Sequence, residues 1–128
     1  MSKRLYFTFI LGGFTVILGA FGAHLLEKLL STAQLASFET GLRYQFYHVF
    51  FLILLSLIPR IEEKDKNKIT LLISIGILLF SGSIYLLNLQ DVLGLDLGFL
   101  GPVTPLGGSL LIFGWFYTAY KIKTYSPR

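Results

Sequence analysis

The chain is 128 residues long, enough for one domain, and 54% of its residues are hydrophobic while only 14% are charged, whereas about a quarter of an ordinary soluble domain is charged. It contains no cysteine, which excludes disulfides, thiolate zinc sites, iron–sulfur clusters and c-type haem attachment. The net charge of +4 sits at the flanks of apolar runs, with no basic face and no helix-turn-helix or aromatic RNA-binding pattern, so nucleic acid is excluded as a partner.

Four stretches carry no Asp, Glu, Lys or Arg: Leu5 to Ala23, Phe46 to Ile58, Ile69 to Leu89 and Pro105 to Tyr120. Crossing a hydrocarbon core of ~30 Å takes about 20 apolar residues. The pattern predicts an all-α membrane protein, a four-transmembrane-helix bundle forming a single domain over 1–128, with spans at about 5–26, 41–59, 69–89 and 104–121. Lys3 and Arg4 before an apolar run, followed by Ala20-Phe21-Gly22-Ala23, resemble a cleavable secretory signal. The run is longer than a typical signal core, and its removal would leave an odd number of spans.

In span 1, Gly12, Gly13, Val16, Gly19, Ala20 and Ala23 share one face, opposite Leu11, Phe14, Leu18, Phe21 and Leu25. Small residues permit close approach of membrane helices, so this face is expected to form the bundle interior and is also a surface for homo-oligomer formation. The 31–40 stretch reads as a short amphipathic helix lying on the outer interface. In span 2, Gly41, Tyr44, Gln45 and His48 form a polar arc that must point inward, opposite Phe46, Phe50, Ile53 and Leu57. Ser74, Ser81, Tyr85 and Asn88 form a second stripe on span 3.

Span 4 opens on Thr104-Pro105, an N-cap hydroxyl followed by proline at the first helical position. From there to Tyr120 the helix would measure only about 24 Å. With Trp115, Tyr117 and Tyr120 in an aromatic belt at the cytoplasmic interface, its N-terminus would stop below the outer surface. Lys and Arg settle the expected orientation: nine lie on one side (Lys3, Arg4, Arg60, Lys64, Lys66, Lys68, Lys121, Lys123, Arg128) and two, Lys28 and Arg43, on the other. The positive-inside rule then places both termini in the cytoplasm.

Four ordered blocks stand out: Gly19-Ala20-Phe21-Gly22-Ala23-His24, Thr40-Gly41-Leu42-Arg43-Tyr44-Gln45-Phe46-Tyr47-His48, Ser81-Gly82-Ser83-Ile84-Tyr85 and Pro102-Val103-Thr104-Pro105-Leu106-Gly107-Gly108. Together they resemble the signature blocks of a widespread family of unknown function that includes the YgdD-like and YwdK-like bacterial inner-membrane proteins. The resemblance covers nearly the whole chain. It implies a small four-span protein of the inner (plasma) membrane, with relatives in eukaryotic membranes, and no established activity, ligand or catalytic residue.

For chemistry, His48 lies ~15 Å from the cytoplasmic end of its span, near mid-bilayer, where an ionisable residue is a functional candidate by default. The structural alternative is a neutral imidazole bonded to Ser81 or Tyr85 as interhelical glue. Arg43 reads either as a residue snorkelling to lipid phosphate, as a partner of Glu27 or Glu39, or as a ligand anchor. His24 and Glu27, spaced i,i+3, match half of a metal site, but His48 lies too deep to complete it. No nucleophile motif, phosphate loop or cofactor motif is present, so no catalytic residue and no cofactor is assigned. The expected function is a non-enzymatic membrane protein with an outward-facing pocket for a small anion or lipid headgroup. Its ligand-binding residues are Arg43, Tyr44, Gln45, His48, Ser81, Tyr85 and Thr104, with the positive end of the span 4 dipole beside them. The rivals are a lipid-modifying enzyme using His24 or His48, and a structural or assembly factor of a membrane complex.

Overall fold

The computed structural model describes residues 1–127, with the side chain of Ala23 also outside the described residues. The chain folds as helices α1 (Ser2–Leu26), α2 (Thr32–Leu57), α3 (Glu63–Leu93) and α4 (Val103–Thr124), with a 3-10 turn at Gly98–Leu100 before α4 and no strand among the described residues. Each helix packs chiefly on its neighbour in sequence, α1 on α2, α2 on α3 and α3 on α4. Three segments, α1, α3 and Gly98–Thr124, are long and apolar enough to cross a membrane. In α2 the apolar run is interrupted by Arg43, Gln45 and His48.

Local chemistry explains the helix ends. Ser31 and Gln34 form a reciprocal capping box at the start of α2: the serine side chain accepts from the Gln34 N–H and the glutamine side chain from the Ser31 N–H. Consequently α2 starts at Thr32 and runs unbroken for 26 residues, and no separate interfacial helix exists over 31–40. Phe38, 2% exposed, is packed at 4.9 Å from the Tyr85 ring, and Ser37 accepts from Asn88, so this segment belongs to the helix bundle. Helix α3 carries Glu63 and Asp65 at its positive end and stops at Gly94, whose φ of 66° is left-handed and favours glycine.

Helix α4 also departs from expectation. It begins at Val103, so Thr104 and Pro105 are its second and third residues, and Lys121 and Lys123 extend it to Thr124. At 22 residues it measures about 33 Å, enough for the full core. The Thr104 hydroxyl caps nothing; it pairs with Ser83 at 2.6 Å.

The densest packing lies between α3 and α4, where Gly107, Leu111, Gly114 and Thr118 are the buried residues of α4. A Cβ on Gly107 would stand 2.3 Å from the Phe80 backbone nitrogen, and one on Gly114 would stand 2.4 Å from Ile73 Cδ1. Leu52, Leu55, Ile69, Ile73, Ile77 and Leu111 fill the adjoining core. Helix α1 is different. Its face toward the bundle carries Arg4, Thr8 and Thr15, all buried, while Gly13, Val16 and Ala20 are exposed and a Cβ on Gly13 or Gly19 would meet no atom within 4 Å. Of the small-residue face expected inside, Gly12 meets Val49, and most of the rest points away because Thr15 faces Gln45 on α2 and Arg4 faces Glu63 and Asn67 on α3.

The N-terminus of α1, the α2–α3 connection and the C-terminus of α4 share one end of the molecule. There Arg4 donates to Asn67 (2.5 Å) and Glu63 (2.6 Å), Lys121 pairs with Asp65 (3.1 Å), and Lys66, 5% exposed, donates to the Ser56 carbonyl at the end of α2 (3.2 Å). Cation donation to a C-terminal carbonyl also complements the α2 dipole. At 31 residues, α3 is about 46 Å long, so Glu63 projects beyond the core. The Arg4 hydrogen bond, aided by the charges of Arg4 and Lys66 and opposed by desolvation, holds the Glu63 carboxyl below its usual range.

Candidate functional site

The polar residues of the helices meet in defined pairs. Gln45 on α2, 5% exposed, donates through Nε2 to Thr15 Oγ1 on α1 and accepts at Oε1 from the Tyr85 hydroxyl on α3, each at 2.7 Å. Thr15 passes its own proton to the Leu11 carbonyl at 2.7 Å. One side-chain amide therefore ties three helices, with donors and acceptors matched. Beside it Ser81 donates to the Gly41 carbonyl at 2.7 Å. That approach requires glycine, since a Cβ at position 41 would lie 2.9 Å from the Tyr85 ring.

His48 is fixed by two partners. Nδ1 lies 2.6 Å from the Tyr44 carbonyl, and a carbonyl only accepts, so Nδ1 carries the hydrogen. Nε2 then accepts from the Trp115 indole N–H at 3.1 Å, with the rings edge to face at 6.1 Å. The assignment is a neutral imidazole with both nitrogens engaged. Trp115 thus sits opposite mid-α2 and not in a cytoplasmic aromatic belt, and His48 bonds neither Ser81 nor Tyr85.

The seven residues singled out in the sequence fall into four places. Gln45, Ser81 and Tyr85 join in the α1–α2–α3 polar core. Tyr44 and His48 line an open crevice of about 340 Å³ between α2 and α4, walled by Thr40, Phe80, Leu111 and Trp115. Arg43 is exposed and donates to Thr40 Oγ1 at 3.2 Å, while Thr104 stays with Ser83. Arg43 has no ion-pair partner among the described residues, and neither Glu27 nor Glu39 reaches it. His24 and Glu27 are exposed, and no group of three or more His, Asp or Glu able to hold a metal lies among the described residues.

Sequence reasoning missed Thr15, Thr40 and Trp115. Arg4, Thr8, Leu11 and Thr15 recur at i, i+4, i+7 and i+11 along α1, which is a helical face with polar members. The glycines drew attention away from it. Trp115 has no such signal, since its role depends on where α4 places it.

Residues 18–108 match the family described as "Protein of unknown function (DUF423)". Similar proteins include a UPF0382 membrane protein of Haemophilus influenzae, 36% identical over 119 residues that cover 93% of this chain and 92% of that one. The UPF0382 inner membrane protein YgdD of Escherichia coli K12 is 35% identical over 120 residues, 90% of this chain and 86% of that protein. A UPF0382 membrane protein of Staphylococcus saprophyticus is 39% identical over 97 residues, 76% of this chain and 77% of its own. No solved structure matches significantly. The apolar helices and these relatives make the chain an inner-membrane protein, and it belongs to the DUF423 family of membrane proteins of unknown function.

Proposed function

We propose that the chain crosses the membrane four times with both termini in the cytoplasm, and that it works without catalysis as a binding protein for a membrane amphiphile held in the crevice between α2 and α4. The carrying observation is where the polar residues stand: Gln45, Ser81 and Tyr85 are spent inside on neighbouring helices, whereas Tyr44 and the hydrogen-bonded His48–Trp115 pair line an opening on the outer surface of the helices. Four crossings are supported by α2, whose 26 residues measure about 39 Å and whose buried polar residues have partners in the neighbouring helices. The excess of Lys and Arg at the Arg4–Glu63 end supports a cytoplasmic position for that end. Native mass spectrometry of the purified protein tests the binding role: a retained lipid is expected, and a spectrum of bare protein under conditions that preserve the fold refutes it. Reporter fusions after Arg128 and within 62–68 test the topology, and a non-cytoplasmic C-terminus refutes it.

The lipid-modifying enzyme is the weaker reading, because both nitrogens of His48 are already engaged and His24 stands exposed without a catalytic neighbour among the described residues. An assembly role gains support from α1, where Gly13, Val16, Gly19 and Ala20 lie on a side that α2 leaves largely uncovered, a small-residue surface of the kind through which membrane helices pair. Cysteine cross-linking at Gly13 and Ala20 tests it, and absence of any cross-linked dimer in native membranes refutes it.

A further inference from the structure

Two open cavities flank His48. The upper one, about 340 Å³, starts at Thr40; the lower, about 400 Å³, ends at Leu54 and is walled by Phe50 and Phe51; both include Tyr44, His48 and Trp115. They meet at the His48–Trp115 pair and together make a crevice that follows α2 from Thr40 to Leu54, about 21 Å at ~1.5 Å per residue. With His48 near the middle of a ~30 Å core, the crevice rises about 12 Å above the midplane to Thr40 and falls about 9 Å below it to Leu54, so it opens in the half facing away from the Arg4–Glu63 end and reaches past the midplane.

The crevice is graded along its length. At the Thr40 end stands Arg43, permanently charged, exposed, without an ion-pair partner among the described residues, its guanidinium directed up one turn to the Thr40 hydroxyl. Helical side chains lean toward the N-terminus, here the end opposite the Arg4–Glu63 cluster. The middle holds ring faces and edges: Tyr44 packs on Phe80 at 5.1 Å, and Trp115 on Phe51 at 4.7 Å. The far end is wholly apolar, with Phe50, Phe51 and Leu54. A permanent cation above an apolar channel about 20 Å long, the scale of one extended acyl chain, complements a phosphate above that chain, and guanidinium binds phosphate through two parallel hydrogen bonds.

We propose that this crevice seats one anionic phospholipid of the leaflet facing away from the Arg4–Glu63 end, its phosphate on Arg43 and one chain running past Tyr44 and Trp115 to Leu54. The proposal rests on the amphiphile-binding reading above and names its ligand class and direction. Gly108 offers a way to block the channel. A Cβ there makes ordinary contact with the Phe80 ring at 3.5 Å, so a larger side chain projects into the crevice without forcing α3 and α4 apart. Ile112, 60% exposed on the same wall, offers an independent block.

The test uses the full chain in detergent micelles doped with dioleoyl phosphatidylglycerol or dioleoyl phosphatidylcholine, with adducts counted by native mass spectrometry. Wild type is expected to prefer phosphatidylglycerol by about tenfold, because the choline cation of phosphatidylcholine offsets the phosphate charge that faces Arg43. Arg43→Gln is expected to abolish the preference while keeping residual binding of both lipids. Gly108→Leu and Ile112→Trp are expected to abolish binding of both while circular dichroism shows the fold retained. Equal retention of the two lipids by wild type overturns the choice of an anionic lipid, a preference unchanged in Arg43→Gln overturns the assignment of its headgroup to Arg43, and either leaves the crevice as an amphiphile site. Adducts that persist in both blocking variants overturn the crevice itself, and with it the reading on which the proposal stands.

Discussion

Replacing Gly107 by alanine tests the α3–α4 contact with a single methyl group. The added Cβ would lie 2.3 Å from Phe80 N, 2.7 Å from Leu79 C and 2.8 Å from Phe80 Cα, all backbone atoms that no rotamer change can move. Ordinary contact needs ~3.5 Å, so α4 must retreat from α3 by about 1 Å. A gap of that size forfeits a quarter or more of each dispersion contact across the interface, and a buried leucine makes about 40–60 contacts of ~0.1–0.2 kcal/mol each. For Leu111, 4% exposed in that interface, the loss is about 1–3 kcal/mol, the usual scale of overpacking. Dispersion is also the main attraction available between helices in lipid. The assay is SDS titration in mixed micelles, followed by the fluorescence of Trp115, the only tryptophan in the chain. Gly107→Ala should unfold at clearly lower SDS, while Gly108→Ala, whose methyl finds room, should stay within about 0.5 kcal/mol of wild type. Equal midpoints for the two variants would refute the argument.

Further expectations concern the other contacts. Gln45→Leu strands the Tyr85 hydroxyl and removes the donor to Thr15, which keeps its bond to Leu11, and should cost about 1–2 kcal/mol, and adding Tyr85→Phe should cost less than the two single changes summed; strict additivity in the double-mutant cycle contradicts the bond. Glu63 has a lowered carboxyl pKa, so its ion pair with Arg4 contributes stability above the ordinary carboxylate range that disappears as pH falls through the lowered value. Wild type should lose stability there on acidification, and Glu63→Gln should show a shallower pH dependence; identical profiles would remove Arg4–Glu63 from the account. Gly19→Leu meets open space and should be tolerated, whereas Gly76→Leu must displace Leu111, which a Cβ at position 76 would already approach to 2.7 Å, and should unfold readily; the reverse order would restore α1's small face to the interior.

Amphipathic periodicity made the helices and the inward faces of α2 and α3 legible, because Gln45, His48, Ser81 and Asn88 are polar residues that a lipid-facing position would penalise. Their partners were harder to foresee. Periodicity reports the direction of a side chain from its own axis, not which helix lies there, so Gln45 could be placed inward but not matched to Thr15 and Tyr85. The same limit misplaced α1: glycine allows close approach without demanding it, and the bonds of Thr15 to Gln45 and of Arg4 to Glu63 and Asn67 decided which way the helix turned. The ends of α2 and α4 were misjudged for a different reason. A span estimate stops where charges begin, while the backbone continues through them, as it does from Ser31 past Glu39 and beyond Tyr120 through Lys121 and Lys123. The family blocks marked the right neighbourhoods without separating residues that lock the helices from residues that line the crevice.

Spatial order here repeats chain order, α1 beside α2 beside α3 beside α4, and this bears on how the protein is made. Each helix leaving the ribosome finds its chief packing partner already synthesised, so the contact order is low and no apolar face waits for a distant segment. The Arg4 bonds to Glu63 and Asn67 are an exception, linking positions 59 and 63 residues apart. They can close only after the chain has turned back twice, which makes them a latch on a hairpin pair that has already formed.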